Sequence, residues 1–445
     1  MSQDTPTDER NGGMNRRTML AAAGGTAVAT ALAGCSTLLG GSQSDVEGEA
    51  DVPDEPIQAG LQTFTEGAAA VLGLQAQHGA ELAVRRINDA GGIAGREMEL
   101  DTVHEADAHV ENYTQFVDEG KDVTFGPISS GGHAAMAPEV ESQGVVNVST
   151  DGTVTTLYEG TVEDPTYSFR FQNYDVMECV TAAREAVSRV GADEIDTIAG
   201  INPNYAFGQD EWKFFELAMN QLVDGGVDSV YEGFPDLGAT DMATHITEIN
   251  NVQPDVTFSS QWGGDVTTMM NQASANGMFG NTQLVGSVLY SAVDELERNV
   301  VEEADAISGS RNWYWGFPDR SRWAPNDDTF GAARDEWDIV PTAHFMSGYG
   351  AVTAWATAVA KLVDVIGGWP SQDQIARGLE GHGFYTPAGY HVMSAGHQGK
   401  SNAFSGRMAW SEEVGAAVLE DVNAYAPQEV SPPEGTTAEE WVNGW

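Results

Sequence analysis

The 445-residue chain carries 67 Asp and Glu against 20 Lys and Arg, a formal charge of −47, with 41% hydrophobic residues, 51 Gly and 17 Pro. That length exceeds one ordinary core and points to two or three domains, while so acidic a surface repels phosphate backbones and argues against nucleic-acid binding. The carboxylates are spread over every segment and the only lysines are Lys121, Lys213, Lys361 and Lys400, so the fold repels itself in dilute buffer, whereas molar salt cuts the screening length to ~3 Å.

Residues 1–34 read as an export address. Arg16-Arg17 precede an apolar, alanine-rich run at 19–32, which Leu32-Ala33-Gly34-Cys35 closes. The run is short and weakly hydrophobic for a spanning helix of ~20 residues, although an uncleaved anchor is the alternative reading. Residues 35–56, rich in Gly, Ser, Asp, Glu and Pro, are expected to form a flexible tether. No later stretch reads as long and apolar enough to cross a membrane.

From residue 57 strand and helix alternate. A strand at 57–64 and a loop at 65–74 lead into a helix in which Ala80, Ala83, Val84 and Ile87 fall at i, i+3, i+4 and i+7, an apolar stripe down one face. Gly91-Gly92 ends it, and Met98, Leu100 and Val103, bracketed by acids, form the next strand. A helix at 112–117 and strands at 123–125, 145–148 and 167–171 complete a first block. The second runs helix 176–190, strand 195–199, helix 211–223, strand 227–231, helix 242–249, strand 255–259, helix 265–275 and strand 283–286. Strict alternation at these spacings predicts parallel sheets with right-handed crossovers. The fold class is therefore α/β with two doubly wound lobes, whose ligands bind beyond the carboxyl ends of the strands.

Two strand ends carry chemistry. Phe125-Gly126-Pro127-Ile128-Ser129-Ser130-Gly131-Gly132 joins a buried strand to a helix starting near His133. Such a junction offers free N–H groups, two hydroxyls and the positive end of a helix dipole, an oxyanion site; Ser129 or Ser130 acting only as a helix cap explains the same residues. After the next strand comes Ser149-Thr150-Asp151-Gly152-Thr153, where Asp151 either pairs with a ligand ammonium or adds one more acid to the surface. Trp262, an aromatic placed directly after a strand, marks a pocket wall. Cys179 stands alone in a helix and reads as a buried structural thiol. There is no dinucleotide glycine fingerprint, P-loop, metal-binding histidine spacing or G-x-S-x-G elbow, so no cofactor, metal or catalytic residue is expected.

The string G-A-x-x-A-x-x-x-I-N-x-A-G-G-I-x-G-R-x-M-x-L at 79–100 resembles the first helix and second strand of the branched-chain amino-acid type of ABC-transporter solute-binding proteins, which have the type I periplasmic-binding-protein fold. That resemblance implies two lobes joined by a three-strand hinge. Lobe 1 would span 57–172 and 306–384, lobe 2 would span 173–305 and 385–411, and 412–445 would be a C-terminal tail without assignment. N-R-R-T-M-L resembles a twin-arginine export motif and the Cys35 sequence resembles a lipobox. Together they imply a lipid-anchored protein on the outer face of the cytoplasmic membrane. The acidity resembles that of proteins from halophilic archaea.

By the same resemblance, the position of Ser130 contacts a ligand carboxylate, with Ser129 beside it, and Asp151 and Thr153 hold other polar groups. Phe207, in Asn204-Tyr205-Ala206-Phe207-Gly208-Gln209, falls where a tyrosine closes over the ligand, and Trp262 belongs to a second aromatic-bearing loop. Three further positions depart from the pattern: Asp151 replaces a small residue, Leu72 an aromatic, and Ser287-Val288-Leu289 stands where amino-acid binders place an acid. The implied function is capture of a small polar solute, an amino acid, with the branched-chain kind within that class. Hinge closure would hold it for delivery to an ABC permease. The alternative is a receptor for amides or urea that serves a transporter or a signalling partner.

Overall fold

The computed structural model describes residues 51–67, 69–106, 108–319 and 322–445. The twin-arginine motif, Cys35 and most of the expected tether lie outside the described residues. The end of that tether is attached: Arg96 donates from Nε to the Glu55 carbonyl at 2.7 Å and from Nη2 to that of Pro56 at 3.2 Å, and Val52 packs on the first core.

The first sheet is built from β1 (Ile57–Thr63), β2 (Met98–His104), β3 (Val123–Phe125), β4 (Asn147–Ser149) and β5 (Ser168–Arg170), all parallel, in the order β2-β1-β3-β4-β5. Its central strands are short and buried on both faces, as helix-covered parallel strands must be. The stretch at 70–89 forms α1 (Ala70–Asp89), which buries Ala76, Ala80, Ala83 and Val84. It starts earlier than the sequence suggested, so Leu72 stands in the first helical turn and not in a loop. Helices α2 (His109–Asp118) and α3 (Ser130–Gln143) follow their strands in turn.

The second sheet contains β6 (Thr197–Ile201), β7 (Asp228–Gly233), β8 (Val256–Ser259), β9 (Gln283–Gly286) and β10 (Ile307–Gly309), again parallel. Its helices are α4 (Asp175–Val190), α5 (Ala206–Leu222), α6 (Ala243–Val252), α7 (Gly264–Ala275) and α8 (Arg298–Ala304). The molecule is α/β with two doubly wound lobes, as expected. Cys179 is buried on α4 and donates to the Glu211 carbonyl at 3.0 Å.

The later segments depart from the expected boundaries. The resemblance implies a return to lobe 1 at 306, yet β10 pairs with β9 inside the second sheet. Trp313, Tyr314, Trp315, Phe330 and Val340 then join a core that holds Ile201, Met242 and Ile246 of lobe 2 together with Leu82, Phe345 and Met346 of lobe 1. Between the lobes, α9 (Ala324–Trp337) meets α1 through the Arg85–Glu336 ion pair and a His78–Trp337 stack, and α10 (Ala343–Ile366) and α11 (Gln372–Leu379) return to the first core. Of these, α10 is 24 residues long and apolar enough to cross a membrane by length and composition, which corrects the earlier expectation. It is instead core, burying Val352, Trp355 and Val359. It lies so close to α1 that a Cβ on Gly79 would stand 1.8 Å from the Phe345 carbonyl oxygen, a contact only glycine permits.

The stretch at 385–400, expected in lobe 2, belongs to lobe 1. A small antiparallel sheet of β11 (Gly383–Thr386), β12 (Gly389–Met393) and β13 (Gly399–Lys400) puts Phe384 and Met393 into the first core. The chain then returns to lobe 2 as β14 (Ala403–Ser411) and β15 (Ala416–Tyr425), an antiparallel ribbon on β10 that gives the order β15-β14-β10-β9-β8-β6-β7. The connection between them is too short for a crossover, so these strands can only run antiparallel. The tail is also lobe 2: α12 (Pro427–Val430) and α13 (Ala438–Asn443) bury Val430, Ala438 and Val442 with residues of α4 and α5.

Candidate functional site

Strand order changes direction between β1 and β3 in the first sheet and between β6 and β8 in the second. In open α/β sheets such switch points leave a crevice beyond the strand ends. A cleft of about 420 Å³ opens there, lined from lobe 1 by Phe64, Glu66, His104, Ile128, Ser129, Ser130, Asp151 and Thr153 and from lobe 2 by Tyr205, Phe207, Leu237 and Trp262. All six residues singled out as ligand contacts (Ser129, Ser130, Asp151, Thr153, Phe207 and Trp262) meet on this one cleft.

The loop after β3 is set by Gly126, whose φ of 85° is a left-handed conformation and whose Cβ would lie 2.0 Å from the Gln62 carbonyl oxygen. Here α3 begins at Ser130 rather than near His133. Ser129 caps it, its Oγ accepting from the Gly132 N–H at 3.0 Å, so the capping reading holds for Ser129. Two of the N–H groups expected to be free are also taken: the buried Glu105 carboxylate accepts from Ile128 N at 2.8 Å and Ser129 N at 2.9 Å. Burial raises the pKa of Glu105, and its bonds to His109 and to these N–H groups pull it back. What remains for a ligand is the Ser130 hydroxyl with the first turn of α3, where orphan N–H groups and the helix dipole favour negative charge.

Asp151 is 3% exposed and already matched. Its Oδ2 accepts from Arg311 Nη1 at 2.6 Å and stands 3.2 Å from His344 Nε2. Burial works to raise its pKa, but Arg311 and His344 hold it below the ordinary carboxylate value. The sequence left two readings, a partner for a ligand ammonium or one more surface acid; Asp151 is buried, which removes the second, and its charge is already matched by Arg311. Arg311 continues across the lobe boundary, its Nε 3.1 Å from Glu178 Oε1 on α4. Burial raises Glu178, Arg311 opposes that and Asp151 adds to it, leaving the carboxyl at about 7. Asp175 and Glu211 nearby are raised well above the ordinary range, first by burial and then by their acidic neighbours. The Asp175 N–H donates to the Thr153 carbonyl at 3.1 Å.

The lobe 2 wall is aromatic. Phe207 sits in the first turn of α5 and Tyr205 caps that helix, with ring centroids 5.9 Å apart. Trp262, half-buried after β8, donates from Nε1 to the Tyr205 hydroxyl at 2.8 Å. Among the described residues no group of three or more His, Cys, Asp or Glu is placed to hold a metal ion.

A family model described as periplasmic binding protein matches residues 56–411, which takes in both lobes and every wall of this cleft. The chain belongs to the periplasmic binding protein family. Among curated periplasmic binding proteins it is 24% identical over 310 residues to Leu/Ile/Val-binding protein homolog 1 of Brucella abortus, covering 68% of this chain and 77% of that one. Two solved structures share the fold. One is a solute-binding protein of an ABC transporter from Rhodopseudomonas palustris BisB5 in complex with 3,4-dihydroxybenzoic acid (TM-score 0.72, 18% identity, 86% of this chain and 100% of that one). The other is the branched-chain amino acid transporter substrate-binding protein LivJ from Streptococcus pneumoniae in complex with isoleucine (TM-score 0.67, 19% identity, 84% and 100%).

Among the lining residues of this periplasmic binding protein that sequence reasoning missed are Phe64, His104, Tyr205 and Arg311. Tyr205 lies inside the quoted loop, Phe64 directly follows β1 and His104 ends β2, where the strand-end rule already points. Arg311 was hidden because 306 onward had been assigned to lobe 1, so β10 was not read as a strand with a ligand-facing end. Ser287, at the position where an acid was looked for, is buried and does not line the cleft.

Proposed function

We propose that this chain is the extracytoplasmic receptor of an ABC transporter, closing two lobes around one small solute that carries a carboxylate and handing it to a membrane permease. The observation that carries the reading is the division of the cleft: the Ser130 hydroxyl and the start of α3 on one lobe, the rings of Phe207 and Trp262 on the other. Lobe 1 takes the charged group first, and hinge closure brings the aromatic wall over the rest. The relatives support a carboxylate, since isoleucine and 3,4-dihydroxybenzoic acid both carry one. A branched-chain amino acid remains within this reading, whereas urea would leave most of a 420 Å³ cleft unfilled. The activity proposed is capture, not catalysis. Export by the twin-arginine route and a lipid on Cys35 complete the proposal, and Cys35→Ser should release the protein into the medium.

A thermal-shift screen of amino acids, amides and small carboxylates in molar salt finds the solute. Titration calorimetry with the best of them then tests the site. A lost hydrogen bond to a charged group costs ~1.5–3 kcal/mol, so Ser130→Ala should weaken binding about tenfold or more. Wild-type affinity in that variant would place the solute elsewhere.

A further inference from the structure

Four lysine or arginine side chains are buried among the described residues: Arg96, Lys121, Arg170 and Arg311. Three of them sit on carboxylates, Arg96 on Asp122, Lys121 on Asp101, and Arg311 on Asp151 and Glu178. Arg170 is the most deeply buried, at 1% exposed, and among the described residues no carboxylate forms an ion pair with it. Its charge is met by dipoles and rings. Nη1 donates to the carbonyls of Gly152 and Val154, each at 2.7 Å, and Nε donates to Gln398 Oε1 at 2.6 Å. The rings of Tyr158 and Tyr174 lie 5.4 and 5.1 Å from the guanidinium carbon. Burial depresses the pKa of this group, and its surroundings only partly restore it. A buried ion without a counter-ion is costly, and folds ordinarily pair it.

The two N–H groups of Arg170 Nη2 have no acceptor among the described residues, and this nitrogen is not one of the sealed, unsatisfied polar atoms of the interior. Arg170 lines a second cavity of about 490 Å³, whose wall also includes Tyr158, Tyr174, Lys400 and the tail at 432–437. Lys400 spends one N–H on the Pro432 carbonyl at 2.9 Å and keeps two. Three acids share this wall. Glu159 accepts from the Ala438 N–H at 2.9 Å, Glu434 accepts from the Ala395 N–H at 3.3 Å, and Glu163 is exposed. They weaken the attraction for a further anion, and molar salt screens that repulsion. The cavity is not the cleft between the lobes, and its tail wall lies past residue 411, where the family match ends.

We propose that Arg170 and Lys400 form a binding site for a small monovalent anion, a halide or a carboxylate of formate size, between the end of β5 and the C-terminal tail. The anion supplies the counter-charge that no carboxylate side chain gives Arg170, through charge-assisted hydrogen bonds to Nη2. Because Lys400 belongs to lobe 1 and 432–437 to the tail of lobe 2, the anion also joins the two lobes behind the first passage of the chain between them.

Crystals of the full protein grown from molar potassium bromide test it. The anomalous signal of bromide should mark an ion in hydrogen-bond contact with Arg170 Nη2. Equimolar formate in a second set of crystals separates the two sources: loss of that signal assigns the site to a carboxylate, and its persistence to a halide. Bromide found only on the outer surface or in the cleft between the lobes would overturn the proposal. In solution, the line width of the chloride resonance should report a saturable site that Arg170→Gln removes and Lys400→Met weakens about threefold or more. If Arg170→Gln does not fold, Lys400→Met and the bromide position decide the matter. A chloride titration unchanged in Lys400→Met would remove Lys400 from the site, and with no bromide at Arg170 it would leave nothing of the proposal.

Discussion

The two walls of the cleft differ in kind. Lobe 1 presents hydroxyls, a helix N-terminus and acids held from behind by other residues, whereas lobe 2 presents rings whose single hydroxyl, on Tyr205, is engaged by the Trp262 indole. One wall orients a solute mainly by hydrogen bonds. The other, apart from the O–H that Tyr205 keeps to donate, excludes water and fills space, which strengthens every polar contact opposite it. Between them the Asp151–Arg311–Glu178 chain ties the lobes at the base of the cleft.

The sharpest way to break this division is Trp262→Ala. If the ring desolvates the head group, truncation should cost ~2–4 kcal/mol, roughly thirtyfold or more in Kd by calorimetry. A loss smaller than that of Ser130→Ala would mean that lobe 2 only shields the rim.

The charged chain between the walls predicts a stability profile. Glu178 lies at about 7 in the fold against 4.5 in its ordinary setting, so its contribution is fully present below the ordinary value and is lost as pH rises through about 7. Asp175 and Glu211, also raised, act in the same direction. Buried His133, His382 and His391, which burial holds below their ordinary value, push stability the other way between pH 5 and 6.5, so the Glu178 contribution is read as a difference. At constant molar salt the stability of the wild type relative to Glu178→Gln should fall by about 3 kcal/mol between pH 5 and pH 8. A difference that stays constant over this range would show that Arg311 keeps Glu178 ionised, as a permanent ion pair.

The smallest effect separates ring from hydroxyl. Tyr205→Phe keeps the aromatic surface and removes the acceptor for Trp262 Nε1, so it should weaken binding only by ~0.5–1.5 kcal/mol. A loss as large as that of Trp262→Ala would make the Tyr205 hydroxyl a direct ligand contact.

Much of this was legible in the chain. The period of the apolar residues found most strands of the two sheets and the helices between them, because a parallel α/β lobe repeats one local unit. The strand-end rule, with the family resemblance, brought Ser129, Ser130, Asp151, Thr153, Phe207 and Trp262 to what proved to be one cleft. Boundaries failed where local pattern carries no information about partners. Strand β10 reads the same whether it closes the second sheet or opens a return to the first. Likewise α10 has the composition of a membrane span, and only its packing on α1 makes it core.

The sequence by itself determined the class of fold, the surface charge and the side chains available at each strand end, since these follow from residue types and their local spacing. Tertiary structure decided which of those side chains are free. Ser129 is spent on Gly132, the loop N–H groups before it on Glu105, and Asp151 on an arginine 160 positions further along the chain. Hydrogen-bonding capacity is finite and its partners are set by proximity in space. For that reason the chain names the candidates, and the fold decides which of them, Ser130 among them, keep a donor to offer a solute.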